Sequence, residues 1–213
     1  MTTNTAPARV RRGRPGHDLE SVLRTAVEVF TERGYDGTSM EDLARRLGIA
    51  KSAIYHHVDS KEQLLQLALD RALDGLVEVA EQTRLIEGAA IVRLEHLVRG
   101  SVVVLHEQLP YVTLLLRVRG NTEVERAALN RRRQLDRYAA ALVKQAERDG
   151  DVRPDVDPAI TARLLFGMVN SVVEWYAPRR RGTPEQMAAA VAAIAFDGLR
   201  VHPDAAPRRS ARS

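Results

Sequence analysis

The sequence contains no cysteine and few aromatic residues. None of its 213 residues is Cys, and aromatic side chains make up 4% of the chain although hydrophobic residues make up 45%. Without cysteine, disulfide bonds, thiolate metal sites and cysteine nucleophiles are excluded, and nothing points to an oxidising compartment. The abundance of Ala, Leu, Val, Glu and Arg favours helix over strand, so we expect an all-α protein.

Long hydrophobic runs are also missing. The N-terminal stretch, residues 1–17, has arginines but no apolar segment after them, and no window of about 20 apolar residues occurs elsewhere. We therefore expect neither export nor a membrane partner, and a reducing cytoplasm as the location.

Positive charge is concentrated at the N-terminus. The whole chain has 32 basic and 28 acidic residues, but residues 1–14 carry four arginines and no acid, with Pro and Gly breaking any helix. Two interpretations stay open for this basic arm. It is either a solvated terminus or an arm whose Arg11, Arg12 and Arg14 reach DNA phosphates or the minor groove.

Helix start and stop signals divide the next part of the chain. A first helix is expected from Asp18 to Gly34, and a long fourth helix from Lys61 to about residue 83, opened by Ser60 and Gln63. Between them lie two short helices, residues 40–47 and 51–57, joined by a turn that contains a glycine. Thr38 and Glu41 are expected to form the capping box of the first short helix. Two short helices joined in this way predict a helix-turn-helix.

The second short helix should present polar residues to solvent. At about 100 degrees per residue, placing Ile54 in the core sends Ser52 and His56 outward and leaves Lys51, Ala53 and Tyr55 on the flanks. Small residues and hydrogen-bond donors on an exposed helix suit the major groove of DNA. A metal site at the His56 and His57 pair is disfavoured because adjacent side chains diverge on a helix, so we expect no metal.

Residues 26–65 resemble the DNA-binding domain of TetR-family transcriptional regulators. The stretch reads AVEVFTERGYDGTSMEDLARRLGIAKSAIYHHVDSKEQLL, and its order of motifs over forty residues carries the resemblance. The resemblance implies a homodimeric repressor that binds a palindromic operator and releases it when a small molecule binds the C-terminal domain. It also implies phosphate contacts by Thr38, Tyr55 and Lys61. The residues it places toward the bases or the groove are Ser52, Ala53 and His56.

The sequence departs from this family pattern at two positions. Ala50 stands where a hydroxyl residue usually caps the recognition helix, and Val58 replaces a common Phe. Loss of a side-chain cap costs roughly 1 kcal/mol. We therefore do not expect a DNA contact from the side chain of Ala50.

Five further helices are expected in the C-terminal part, which gives nine in all. Their predicted ranges are 90–107, 110–117, 122–149, 158–177 and 184–200, with start signals at Pro110, Asn121, Asp157 and Thr183. The expected organisation is a basic arm at 1–17, a helix-turn-helix domain at 18–65, a ligand-binding and dimerisation domain at 66–201 and a disordered tail at 202–213.

The last two helices are the expected dimer interface. Each carries a stripe of small or apolar residues, and two such helices from each protomer can form a four-helix bundle. The stripes are Met168, Ser171, Val172 and Trp175 on one helix and Ala188, Ala192, Ala195 and Leu199 on the other. The alternative is that these stripes pack within one subunit.

A ligand pocket is expected among the long helices. Its candidate lining residues are Leu97, Ser101, Leu105, Leu114, Phe166 and Asn170, although the two polar ones can equally find partners within the core. The arginine-rich run from 117 to 137 is either a solvated face or a set of cations for a ligand. The candidate cations are Arg117, Arg119, Arg132 and Arg133.

The arginine-rich run is also similar to C-terminal domains of TetR-type regulators of fatty-acid and phenylacetate catabolism. That resemblance implies a CoA thioester as effector, with arginines on the CoA phosphates. An uncharged hydrophobic effector is the alternative.

Two other classes of protein, an enzyme and a helical interaction module, fit the sequence less well. An enzyme is disfavoured because His96 and His106 lie off one helical face, with no serine or carboxylate at a supporting spacing, so we expect no catalytic residues and no cofactor. A helical interaction module would explain the long helices but not the forty-residue motif. Whether a regulator of this kind represses or activates depends on where its operator lies.

Overall fold

The computed structural model describes residues 18–176 and 183–199, and every secondary-structure element in these ranges is an α-helix. The nine helices are α1 (Leu19–Arg33), α2 (Met40–Leu47), α3 (Lys51–Tyr55), α4 (Lys61–Leu85), α5 (Ala90–Glu107), α6 (Leu109–Arg117), α7 (Glu123–Arg148), α8 (Pro158–Trp175) and α9 (Pro184–Leu199). The all-α prediction is confirmed, and each predicted helix is present with its ends within about two residues of the predicted ones.

Two predicted helix caps were off by one residue. The cap of α2 is Ser39, whose hydroxyl accepts from Asp42 N–H while the Asp42 carboxylate accepts from Ser39 N–H. The cap of α7 is Thr122 rather than Asn121. In both places two adjacent residues have cap chemistry, and only the backbone path decides which one faces the orphan N–H groups.

Helices α1 to α3 form a small bundle on the start of α4. Leu43 and Ile54 are fully buried, and Val58 is nearly so. Gly48 ends α2 in the left-handed conformation, with φ of 67°, which glycine adopts without the Cβ clash of other residues. This turn orients α3 so that its polar face points away from the bundle.

In the C-terminal part α5 lies at the centre, packed against α4, α7, α8 and α9. Helices α4 and α5 approach closely at Gly100, where a Cβ would collide with the side chain of Val79. Within the described residues, no helix is both long and apolar enough to cross a membrane.

Three of the four residues in the predicted dimer stripe of α9 pack within the chain, which is the alternative that the sequence left open, whereas Leu199 is half-buried. Ala188, Ala192 and Ala195 are only 3%, 1% and 6% exposed within the single chain, because α9 packs along α5. On α8, Val172 is likewise buried, whereas Trp175 is 49% exposed. The apolar side chains left uncovered on these two helices are Ile160, Leu164, Trp175 and Ile194.

Candidate nucleic-acid interface and ligand cavity

Helix α3 presents the polar face that the sequence predicted. Lys51, Ser52 and His56 are exposed, Ala53 is half-buried and Tyr55 is 44% exposed. Its cap residue Ala50 makes no side-chain hydrogen bond to the helix. The helix thus offers donors and small residues at its surface, and the buried side chain of Ile54 packs it against the bundle.

An ion pair joins α2 to the start of α3. The ammonium of Lys51 donates to the carboxylate of Glu41, and it lies 5.8 Å from the centre of the Tyr55 ring. The pKa of Lys51 is raised, chiefly by this hydrogen bond, and the same bond lowers the pKa of Glu41. Both groups are therefore charged at neutral pH. Sequence reasoning assigned Glu41 to a cap and missed this pairing across ten residues.

The Thr38 side chain is not at the surface. Thr38 is 2% exposed, and its hydroxyl donates to the carbonyl of Gly34 at 2.7 Å. The end of α1 needs donors for its last carbonyls, and Thr38 supplies one. In this conformation the Thr38 hydroxyl therefore has no proton free for the phosphate contact that the family resemblance implies.

Lys61 is engaged inside the domain. Its ammonium donates to the carbonyls of Tyr35 and Thr38 at 2.9 and 2.8 Å, and it lies 4.1 Å from the centre of the Tyr35 ring. Two of its three N–H donors thus hold the start of α4 against the turn between α1 and α2. One donor is left for a phosphate.

The remaining DNA candidates, Arg11, Arg12 and Arg14, lie outside the described residues.

The histidine pair that follows α3 has no metal partners: in the described part of the chain, no group of three His, Asp or Glu side chains is placed to hold a metal ion.

A cavity lies in the C-terminal part between α4, α5, α6, α7 and α8. It encloses about 50 Å³, which is room for a few water molecules. Six predicted ligand residues line it: Leu97, Ser101, Leu105, Arg132, Phe166 and Asn170. The other lining residues are Leu76, Val112, Leu115, Leu116, Leu135, Asp136 and Val169. Its wall is mostly apolar, with a charged edge from Arg132 and Asp136 of α7.

Four predicted ligand residues do not line this cavity. Leu114 is buried elsewhere on α6, and Arg119 and Arg133 are exposed. Arg117 is turned toward the N-terminal bundle, where it donates to the carbonyl of Thr31 at 2.9 Å. The hydroxyl of Ser101 donates to Leu97 O in its own helix, which is the core partner that the sequence left open.

Helix α6 connects the cavity to the N-terminal bundle. Val112, Leu115 and Leu116 form part of the cavity wall, while Arg117 at the end of the same helix holds α1. Near the start of α6, the Tyr111 hydroxyl donates to Glu20 of α1 at 3.3 Å. The short helix α6 therefore contacts both the cavity and helix α1 of the N-terminal bundle.

Arg71 of α4 completes this junction. Its guanidinium pairs with Glu20 of α1, donates to Gln108 at 3.1 Å and lies 4.8 Å from the centre of the Tyr111 ring. These contacts tie α1, α4 and the start of α6 together. None of them was predicted, since the partners are far apart in sequence.

Besides Arg117, a second member of the arginine-rich run joins two helices. Arg131 of α7 pairs with Asp70 and Asp74 of α4. Asp70 and Asp74 are one helical turn apart, so a single guanidinium can bridge both. The run is thus neither wholly solvated nor wholly directed at the cavity.

Two protein-family models match the chain. The one described as "Bacterial regulatory proteins, tetR family" matches residues 22–68. The one described as "Tetracyclin repressor-like, C-terminal domain" matches residues 87–199, more than half of the chain. The HTH-type transcriptional repressor KstR2 of Rhodococcus jostii is 27% identical over 201 residues, which cover 91% of this chain and 96% of the relative.

Solved structures agree with this match. SCO3833 from Streptomyces coelicolor A3, a member of the TetR transcriptional regulator family, is 50% identical with a TM-score of 0.79, covering 91% of this chain and 98% of its own. AibR in complex with isovaleryl coenzyme A and operator DNA is 28% identical with a TM-score of 0.69, covering 83% of this chain and 97% of its own. The family regulates transcription, which decides against the enzyme interpretation. The chain belongs to the TetR family of DNA-binding transcriptional regulators.

Proposed function

We propose that the protein is a homodimeric repressor that binds an inverted-repeat operator through α3 and releases it when a small molecule enters the cavity. The observation that carries the proposal is the exposed polar face of α3, with Lys51, Ser52, Tyr55 and His56 standing above a buried Ile54. In this proposal, Tyr55 and the free donor of Lys61 contact phosphates, whereas Ser52, Ala53 and His56 face the bases.

The proposed division of labour follows the expected domains. Residues 18–65 bind DNA, residues 66–201 bind ligand and dimerise, and the arm at 1–17 adds phosphate or minor-groove contacts. Helix α4 spans the boundary because it begins under the DNA-binding bundle and contributes Leu76 to the wall of the cavity.

The uncovered apolar face of α8 and α9 supports the dimer. Leu164 and Ile194 are 65% and 70% exposed and lie on one groove with Met168 and Leu199. Met168, Ser171 and Trp175 follow Leu164 along α8 at successive spacings of four, three and four residues, so they continue this face. An exposed apolar patch of this kind is typical of a protein interface.

The proposed effector carries an apolar group of a size that opens the cavity. At about 50 Å³, the cavity is far below the roughly 300 Å³ or more of typical ligand sites, so its walls must move on binding. AibR, whose structure contains isovaleryl coenzyme A, supports a CoA thioester. Arg132 is the predicted cation at the cavity itself, while Arg119 and Arg133 would meet only a part of the ligand that extends outside.

Wall movement explains release. A ligand that binds one conformation better shifts the population toward it. Displacing α6 outward pushes on α1 through Arg117 and Tyr111, and displacing α4 moves the base of the DNA-binding bundle. Either motion changes the distance between the two recognition helices of a dimer, which must match the groove spacing.

Sequencing of DNA that co-purifies with the protein tests the function. We expect enrichment of an inverted repeat, and Tyr55→Ala should weaken binding to it without changing the base preference. Calorimetry with acyl-CoA esters, the matching free acids and neutral hydrophobic compounds then tests the effector. Binding of a free acid or neutral compound with no response to any CoA ester would reject the thioester but not the repressor.

A further inference from the structure

Glu41 places a negative charge on a surface that approaches a polyanion. It lies in the first turn of α2, and its side chain is 58% exposed beside Lys51, which is 44% exposed. A carboxylate on this surface repels DNA phosphates and lowers general affinity for DNA. It therefore needs a role other than raising affinity.

Glu41 meets α3 at the end that reads bases. Lys51 is the first residue of α3, and in helix-turn-helix proteins the N-terminal residues of the recognition helix contact base edges. Glu41 reaches Lys51 from the other helix of the motif, ten residues earlier in the chain. The two charged groups thus lie together at this end.

The pair restricts what Lys51 can bind. A free lysine is a flexible point charge that readily finds phosphates. Here the ammonium is held between the Glu41 carboxylate and the Tyr55 ring. Because the pair has no net charge, its attraction to a phosphate is weak, whereas its remaining donors and acceptors can still read neutral base edges.

We infer that Glu41 is a specificity-determining residue and that Glu41 and Lys51 together select one G·C pair in each half-site. Lys51 donates to guanine O6 or N7, and Glu41 accepts from the N4 amino group of the paired cytosine, which lies next to O6 in the major groove. This inference rests on the proposed function because it requires α3 to enter the major groove.

A purely structural role for the ion pair of Glu41 and Lys51 predicts different results from a role in specificity. If the ion pair only braced α2 against α3, its loss would change stability and leave base preference alone. Both side chains are about half exposed, and exposed ion pairs contribute little to stability. Base preference and salt dependence therefore separate the two roles.

The test is selection from randomised duplexes with the full-length protein and its variants Glu41→Gln and Glu41→Ala. The matched control is Glu32→Gln, which removes the same charge from an exposed ion pair between α1 and α2, that of Glu32 with Arg46 at 3.0 Å. The wild type should require G·C at one position of each half-site. Both Glu41 variants should lose at least about tenfold of that preference, whereas Glu32→Gln should keep it.

The salt dependence of the DNA association constant K is the second measurement. With Glu41 gone, Lys51 is free to neutralise a phosphate, so the slope of log K against log salt should steepen by roughly 0.9 per subunit, and affinity for random duplex should rise. Equal base preference and equal slope for Glu41→Gln and Glu32→Gln, with an operator still selected, would overturn this inference alone. A wild type that selects no sequence would overturn the proposed function and this inference with it.

Discussion

At the scale of single residues, Lys61 joins the start of α4 to the turn before α2. Its ammonium serves two carbonyls, those of Tyr35 and Thr38, and lies over the Tyr35 ring. Lys61→Met should leave both carbonyls without this donor and lower the free energy of unfolding by about 1–3 kcal/mol. Urea unfolding in the absence of DNA measures this as a lower midpoint.

Tyr55→Ala is the control variant for Lys61→Met, because it should affect DNA binding but not stability. Tyr55 is 44% exposed, so its truncation should change stability by less than about 0.5 kcal/mol while weakening DNA binding. If Lys61→Met unfolded at the wild-type urea concentration yet lost DNA binding, Lys61 would be a phosphate contact and not an internal brace.

The cap of α2, which was predicted at Thr38 and lies at Ser39, shows what the sequence leaves open at this scale. Thr38 and Ser39 are adjacent hydroxyl residues before a helix, and both can cap it. Only the backbone path sends Ser39 to the α2 N-terminus and Thr38 back to Gly34. By contrast, the outward face of α3 was predictable, because the helical period and one buried Ile54 fix it.

At the scale of helices, α6 touches both the cavity and the DNA-binding bundle, as α4 does. Arg117→Gln removes the guanidinium that donates to Thr31 O but leaves the cavity wall intact. We therefore expect effector affinity close to that of the wild type, with less release of DNA at saturating effector. Fluorescence anisotropy of labelled operator during an effector titration measures the release.

Arg119→Gln is the matched control for this coupling. It removes an exposed arginine two residues further along, outside the cavity and without a contact to α1, and at saturating effector it should release DNA as the wild type does. Full release by Arg117→Gln would show that the Arg117 contact does not carry the signal, which leaves α4 and the contact of Tyr111 with Glu20.

Helix positions were predictable but some helix faces were not. Capping residues and apolar spacing mark where the helices start and stop. Helix α9, however, has alanines on several sides, at 188, 189, 190, 192 and 193, so its pattern does not tell which side meets α5. The arginine run of α7 is similar, since the acids that select Arg131 lie about sixty residues earlier, on α4.

At the scale of the whole molecule, the proposed function requires two chains to be held at the right spacing for operator binding. Leu164 and Ile194 are uncovered apolar side chains on the outer face of α8 and α9. Leu164→Glu with Ile194→Glu would place four charges in the proposed interface of a dimer. Because burying unpaired charges is costly, we expect a folded monomer by analytical ultracentrifugation, with helical circular dichroism unchanged.

The monomer should also bind the operator far more weakly. One recognition helix then meets one half-site without the second, so the gain from joining two contacts in one particle, about a hundredfold or more, is lost. Val92→Glu is the control, since Val92 is 54% exposed and is not among the residues that line the groove with Leu164 and Ile194. A double variant that remained dimeric and kept its operator affinity would place the interface elsewhere on the chain.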